Sequence, residues 1–589
     1  MKRQIYLDGT PFDIEGEITE KNITPWTVQI SAGSREYSDF SQASLREYHD
    51  MRGGAGLESE TGTETGRFYW SEGVETSIER CVVPGPKINT AGTFGVAPVK
   101  IIDFEGSTYG IGHNLIAKWN TGTSAWDSKK ANFASPIDAV VFTDSTDSYL
   151  VVSSATAATY SIDGTTWNTL TGCKGYLAEF DNRLLGFYGQ TVYYSPRDNL
   201  DGTWASFNVA ADYGTPKSLF SGKLLTTDDP VPYLVSTKGL WAVDFWHQMI
   251  YRQEINFPPH TNAGAAGMYW NSYVFGATGP GIKKISPGMA QDIGPDQDDG
   301  LPAGYRGYVA DMIGLSDWMI FCVNGGSTDK SSIFKRHGTL GGNHQVYSTS
   351  AANNAITCIH HSPSSTYTNG RLWWGEGTGI KYCMFPDLGS NVTDISTYEY
   401  IQAPVGLIYP ICRPLAAITK TALTVKAVTK NCNANRYLTV YYDIDNTGSF
   451  TELGSFATSP LPTMLSFASG AGLEFRTIQF KVKPVTNSDT SVPELESLMF
   501  SYFTNPVPLR GWEFNVIASQ HDAKTLIDAL VTIQEKNTLV AFYPSGDNVK
   551  GTSYNVKLTQ LPKQIHWDMP RHGDEKGLLR VVVEEIFKG

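Results

Sequence analysis

At 589 residues the chain has room for about three or four domains of ordinary size. A formal charge of −13 without a long basic run excludes nucleic acid or an anionic membrane surface as the main partner, since both need clustered Lys and Arg. Only 18% of residues are charged, while 57 Gly and 30 Pro supply turns, which excludes helical bundles and coiled coils and leaves a mostly β chain.

Met1-Lys2-Arg3-Gln4-Ile5-Tyr6 carries two basic residues with no apolar stretch behind them, so no secretory signal is expected. No run is apolar enough for a membrane span. Residues 1–87 alternate weakly and contain a Gly-rich stretch from Arg52-Gly53-Gly54-Ala55-Gly56 through Thr61-Gly62-Thr63. Such a segment cannot bury a core alone. It reads as an extended N-terminal arm that pairs with a later domain or a neighbouring subunit, anchored by Phe68-Tyr69-Trp70 and ended by Pro84-Gly85-Pro86.

Residues 88–412 hold seven short β-rich runs, beginning at Tyr109, Tyr149, Leu184, Tyr233, Tyr273, Met319 and Arg371. Their spacing of about 40–50 residues is what a four-stranded propeller blade requires, and it predicts a β-propeller of about seven blades. Residues 413–505 change to period-two alternation, as in Tyr437-Leu438-Thr439-Val440-Tyr441-Tyr442, and predict a β-sandwich. Asn505-Pro506-Val507-Pro508 reads as a stiff linker. Residues 506–589 predict a small α+β docking module. Its helix is marked by Ala523, Leu526, Ile527, Leu530 and Ile533, with Ser519 or Asp522 to cap it, and Trp512 and Trp567 in its core.

Seven cysteines (81, 173, 322, 358, 383, 412 and 432) are odd in number, scattered and without a CxxC, so free buried thiols and synthesis in a reducing compartment are expected. Asp443-Ile444-Asp445-Asn446-Thr447-Gly448 has the first half of a calcium loop, but Gly454 stands where the bidentate Glu belongs, and a tight hairpin is the better reading. The acidic group Asp292, Asp296, Asp298 and Asp299 reads as a solvated loop. His360-His361 near Cys358 and Cys383 fits no zinc spacing. The arginines 183, 197, 252, 306, 336 and 371 do not assemble into a carboxylate-binding triad on sequence grounds. No catalytic, cofactor-binding or metal residue is assigned, and no cofactor is expected.

Ser161-Ile162-Asp163-Gly164-Thr165-Thr166-Trp167 resembles the Asp-box hairpin of sialidase-like propellers, shortened by one residue; its role there is structural. Ser195-Pro196-Arg197 with Trp204 is similar to a degraded second copy. The whole order is also similar to tail-associated propeller proteins of tailed bacteriophages. That resemblance is carried by Arg67-Phe68-Tyr69-Trp70-Ser71-Glu72-Gly73-Val74-Glu75-Thr76, by Tyr193-Tyr194-Ser195-Pro196-Arg197, and by the region from Tyr441 to Tyr502 with Pro493-Glu494-Leu495. It implies a virion structural protein rather than an enzyme, tail-associated, with partners among virion proteins, copies of itself and host surface glycan. An alternative is a propeller glycosidase or lyase on surface polysaccharide, which an acidic pair in the central cleft beside exposed aromatics would favour. A non-catalytic lectin using exposed Trp373 or Trp374 is the third reading.

Overall fold

The computed structural model describes residues 3–23, 44–56, 66–133, 135–209, 213–295, 300–387, 391–414, 419–504, 509–519, 523–536, 539–560, 566–568 and 576–587. The linker 505–508, Asp296, Asp298, Asp299, Asp522 and the side chains of Ser519 and Trp567 lie outside the described residues.

Seven four-stranded antiparallel sheets follow one another between Asn89 and Met384. Their first strands are Pro98–Phe104, Pro136–Thr143, Tyr176–Phe180, Pro216–Lys223, Gly267–Trp270, Tyr308–Gly314 and Ile356–Ser362. Each first strand contacts that of the next sheet, and Ile356–Ser362 also contacts Pro98–Phe104, a propeller-like order. All seven apolar runs read from the sequence are second strands. Neighbouring sheets cover such strands on both faces, so they are almost wholly apolar. Trp318–Asn324 is buried at every position. The seventh sheet has only three strands of its own. Its fourth is Asn89–Thr90, paired with Tyr382 and Lys381.

Two further sheets share one apolar core that includes Val425, Leu438, Phe480 and Phe500, and so form the sandwich. Its strands alternate because one face is wet, as Lys420–Lys430 illustrates. Residues 44–48 and 70–84 also contribute here. Ser44–Tyr48 and Cys81–Pro84 pair with Glu494–Thr504, and Trp70–Glu72 pairs with Gly406–Ile408. Gly406–Ile408, upstream of the division at 412, thus pairs inside the sandwich, where it also meets Val482 and Lys481.

The terminal strands form a closed circuit. Leu509–Ser519 pairs with Thr10–Ile23, which pairs with Arg3–Leu7, then Val540–Tyr543, Tyr554–Gln560, Lys576–Phe587 and back to Leu509–Ser519. The helix Ala523–Glu535 buries Ala523, Leu530 and Ile533 against this barrel, in a cluster with Trp512 and Phe514. Ile5, Leu7, Phe12 and Ile14 belong to the same cluster. The stretch 1–87, read as one arm, is therefore divided between the barrel and the sandwich. Its strands find the apolar partners that they lack locally.

Candidate functional site

Polar side chains on the first strands tie neighbouring sheets together. Five first strands share a β-bulge near their start, at Pro98/Lys100, Pro136/Asp138, Pro216/Ser218, Val309/Asp311 and Ile356/Ile359. A bulge re-aims the residue that follows it. Asp138 accepts from the Leu177 amide at 3.0 Å, and Asp311 accepts from the Ile359 amide at 3.0 Å. Ser218 donates to Gly264 and Thr357 donates to Pro98. Lys100 lies 3.5 Å from Asp138, whose carboxylate holds its ammonium well above the usual lysine range. Burial pushes Asp311 up, with Lys100 opposing. An acidic pair thus faces one lysine, but both carboxylates already accept backbone N–H groups on the next sheet.

A second cluster closes the seam between the seventh and first sheets. Asp103 Oδ1 accepts from Thr108 Oγ1 at 2.7 Å and from Ser362 Oγ at 2.8 Å, and His360 Nε2 lies 3.3 Å away. Ser362 Oγ in turn accepts from Trp373 Nε1 at 3.0 Å. The residue types are those of a hydrolytic triad, but the serine proton points to the carboxylate. Activation of a serine needs the histidine as its direct acceptor. This arrangement binds two sheets and leaves no activated nucleophile.

The third cluster joins the sandwich to the sixth sheet. Lys335 Nζ lies 2.6 Å from Glu75 Oε2, and Ser77 donates to Glu75 from both its amide and its hydroxyl. Burial would raise the Glu75 carboxyl, but the Lys335 charge and these hydrogen bonds outweigh it and hold it down at about 2. Beside the pair, Thr76 Oγ1 and His344 Nδ1 share a hydrogen bond of 2.8 Å, and burial, assisted by the Lys335 charge, holds His344 down at about 3. Glu72 is bonded to Tyr305 and Lys330, and Trp70 packs on Tyr305 and Phe334. A cavity of about 320 Å³ lies alongside, lined in part by Glu75, Trp318 and Lys335.

The motifs singled out from sequence fall elsewhere. Asp163 Oδ1 accepts from the Thr165 and Thr166 amides at 2.8 and 2.7 Å, and these bonds hold its carboxyl well below the usual range. Trp167 packs on the core between the first two sheets, and Trp204 packs in the same way between the second and third. Asp443 accepts from the Thr447 and Gly448 amides across a hairpin turn, and Asp445 accepts from Arg476 and Thr477. His360 faces Asp103, whereas His361 bonds the Phe385 carbonyl, and Cys358 and Cys383 sit in separate clusters, so the four do not converge. All seven cysteines are free, five of them buried. Arg183 and Arg197 both approach Asp181, Arg336 reaches Asn343 on the sixth sheet, and Arg306 reaches the Leu301 carbonyl in the loop before Tyr308–Gly314. Trp373 and Trp374 are each 0% exposed, which removes them as a lectin surface. The bulge ties escaped sequence reasoning, although Pro98-Val99-Lys100, Pro136-Ile137-Asp138 and Pro216-Lys217-Ser218 share a Pro-x-polar signal. Among the described residues no cluster of three or more His, Cys, Asp or Glu is placed to hold a metal, and no helix is long and apolar enough to cross a membrane.

No family model and no curated protein matches the chain. Solved structures similar to it include Saccharomyces cerevisiae Sqt1, at 11% identity over 51% of this chain and 99% of that one, with a TM-score of 0.36. The Neurospora crassa Pan2 WD40 domain is 8% identical over 51% of this chain and 96% of its own, with a TM-score of 0.36. The extracellular domain of the putative one component system BT4673 from B. thetaiotaomicron is 10% identical, with a TM-score of 0.38 and coverage of 65% of this chain and 47% of that one. At such scores the sheet order itself carries the fold description.

Proposed function

We propose that the chain is a non-catalytic structural protein of a virion of the tailed-phage kind, tail-associated, in which a closed seven-bladed propeller is held rigidly for assembly and host-surface attachment. The observation that carries this reading is the Glu75–Lys335 pair with its neighbours. A strand of the sandwich is tied by charge and hydrogen bonds to the sixth sheet and its flanking loops, which supports a rigid arrangement of the two. A glycosidase needs one protonated and one free carboxylate facing a cleft. The Asp138 and Asp311 oxygens are instead occupied as inter-sheet ties, which supports a structural reading of that pair.

Particles purified by density gradient from a culture that produces this protein test the proposal. The chain should band with intact particles and be labelled at the tail by specific antibody. Recovery only in the soluble fraction, or release of new reducing ends from surface polysaccharide by the purified chain, would refute it.

A further inference from the structure

The seventh sheet carries an arginine, Arg371, that is in ion-pair contact with no carboxylate among the described residues. Arg371 opens the strand Arg371–Glu376, and its guanidinium carbon lies 4.2 Å from the ring centre of Tyr367 and 4.5 Å from that of Tyr382. Among the described residues no carboxylate or carbonyl accepts its N–H groups. The two rings hold the planar fork in place by cation–π contact, so it is organised in advance for a partner. Arg371 lines a cavity of about 470 Å³ with Lys87, Asn89, Thr366, Thr368 and Glu399, a size suited to a small ligand. Lys87 is already paired, 2.9 Å from Asp489 and 3.4 Å from Glu399. Lys87 and Arg371 against Asp489 and Glu399 sum to no net charge, and among the described residues Arg371 is the cation of this group without an ion pair. A phosphate would bring more negative charge beside Glu399 than one guanidinium offsets. A single carboxylate matches the guanidinium and fits its fork in bidentate fashion. Beside Met384 and the two rings, the remaining polar side chains of the lining are hydroxyls and an amide, donors and acceptors that hydroxylated rings use.

We propose that this pocket binds a carboxylated sugar, a hexuronate or sialate unit of an acidic polysaccharide, with its carboxylate on Arg371 and its hydroxyls toward Asn89, Thr366 and Thr368. The proposal deepens the attachment reading and rests on it only for the source of the sugar.

Calorimetric titration of the full chain with oligosaccharides containing glucuronate, galacturonate or N-acetylneuraminate tests it, beside carboxyl-reduced analogues and a sugar phosphate. At least one acidic oligosaccharide should bind, its reduced analogue should not, and the sugar phosphate should compete poorly. Arg371→Ala should weaken binding about tenfold or more, as expected for loss of a charged bidentate contact. Since Arg371→Ala also removes ring packing, Thr368→Trp on the exposed rim supplies a variant that fills the pocket and leaves the arginine; it should abolish binding with an unshifted melting temperature. No binding by any acidic oligosaccharide, equal binding of the reduced form, or undiminished binding in Thr368→Trp would overturn the site. Incorporation of the parent chain into particles reads the virion proposal separately: a parent chain that binds acidic sugar yet is absent from particles sinks that proposal alone.

Discussion

Lys335 and Glu75 meet at 2.6 Å with side-chain exposures of 9% and 7%, although the sequence separates them by most of the propeller-like region. Such a pair is expensive to break from one side, because the survivor is a buried unpaired charge. Lys335→Met should destabilise the protein by about 3–5 kcal/mol in chemical denaturation. Adding Glu75→Leu to that variant should recover most of the loss. A double variant as unstable as the single one would show that the pair does more than neutralise itself.

Acid should weaken the same junction in two windows. His344 is held down at about 3 against an ordinary 6.5, so the unfolded chain binds its proton first and stability falls as pH drops from 6.5 toward 3. Glu75 is held down at about 2 against 4.5, so its contribution, complete above 4.5, is lost as pH falls toward 2. Every tenfold difference in proton affinity between the folded and unfolded chain is worth about 1.4 kcal/mol. Melting temperature measured against pH should decline from near 6.5 downward. His344→Gln, which keeps a partner for Thr76, should flatten the upper part of that decline; an unchanged slope would place the acid sensitivity elsewhere.

The Asp-box hairpin should respond to one methyl group. Gly164 has φ +69°, and a Cβ there would meet the Tyr109 hydroxyl of the first sheet, with Tyr109 itself 1% exposed. Gly164→Ala should therefore lower the melting temperature by several degrees, through the clash and the positive φ together. Tyr109→Phe in the same chain should restore only part of the loss, because the backbone strain stays. Asp163→Ala frees the Thr165 and Thr166 amides at an exposed turn, and its effect should be smaller than that of Gly164→Ala.

Asp138 should matter to the sheet order and not to chemistry. Asp138→Ala leaves the Leu177 amide without its acceptor and Lys100 without its carboxylate, a loss of about 1–3 kcal/mol. Unfolding followed by tryptophan fluorescence and by circular dichroism would register it. Stability equal to the parent chain would mean that water satisfies the Leu177 amide and that the tie is dispensable.

Residue order by itself determined the local grammar of this protein. The seven apolar runs were readable because a strand covered on both faces has to be apolar along its length, as Trp318–Asn324 is. The alternation of Lys420–Lys430 was readable because one of its faces is wet. Helix Ala523–Glu535 was legible from its apolar spacing. Tertiary structure alone decided the partners. Arg3–Leu7 lies beside Val540–Tyr543, and Asn89–Thr90 completes the seventh sheet at Lys381 and Tyr382. Backbone N–H and C=O groups are the same in every residue but proline, so pairing carries almost no label that local sequence can show. The same holds for the polar sites. Asp103 with Ser362, Glu75 with Lys335, and Arg371 with Tyr367 and Tyr382 gain their chemistry from approach and burial, which a strand acquires only after its neighbours have packed around it.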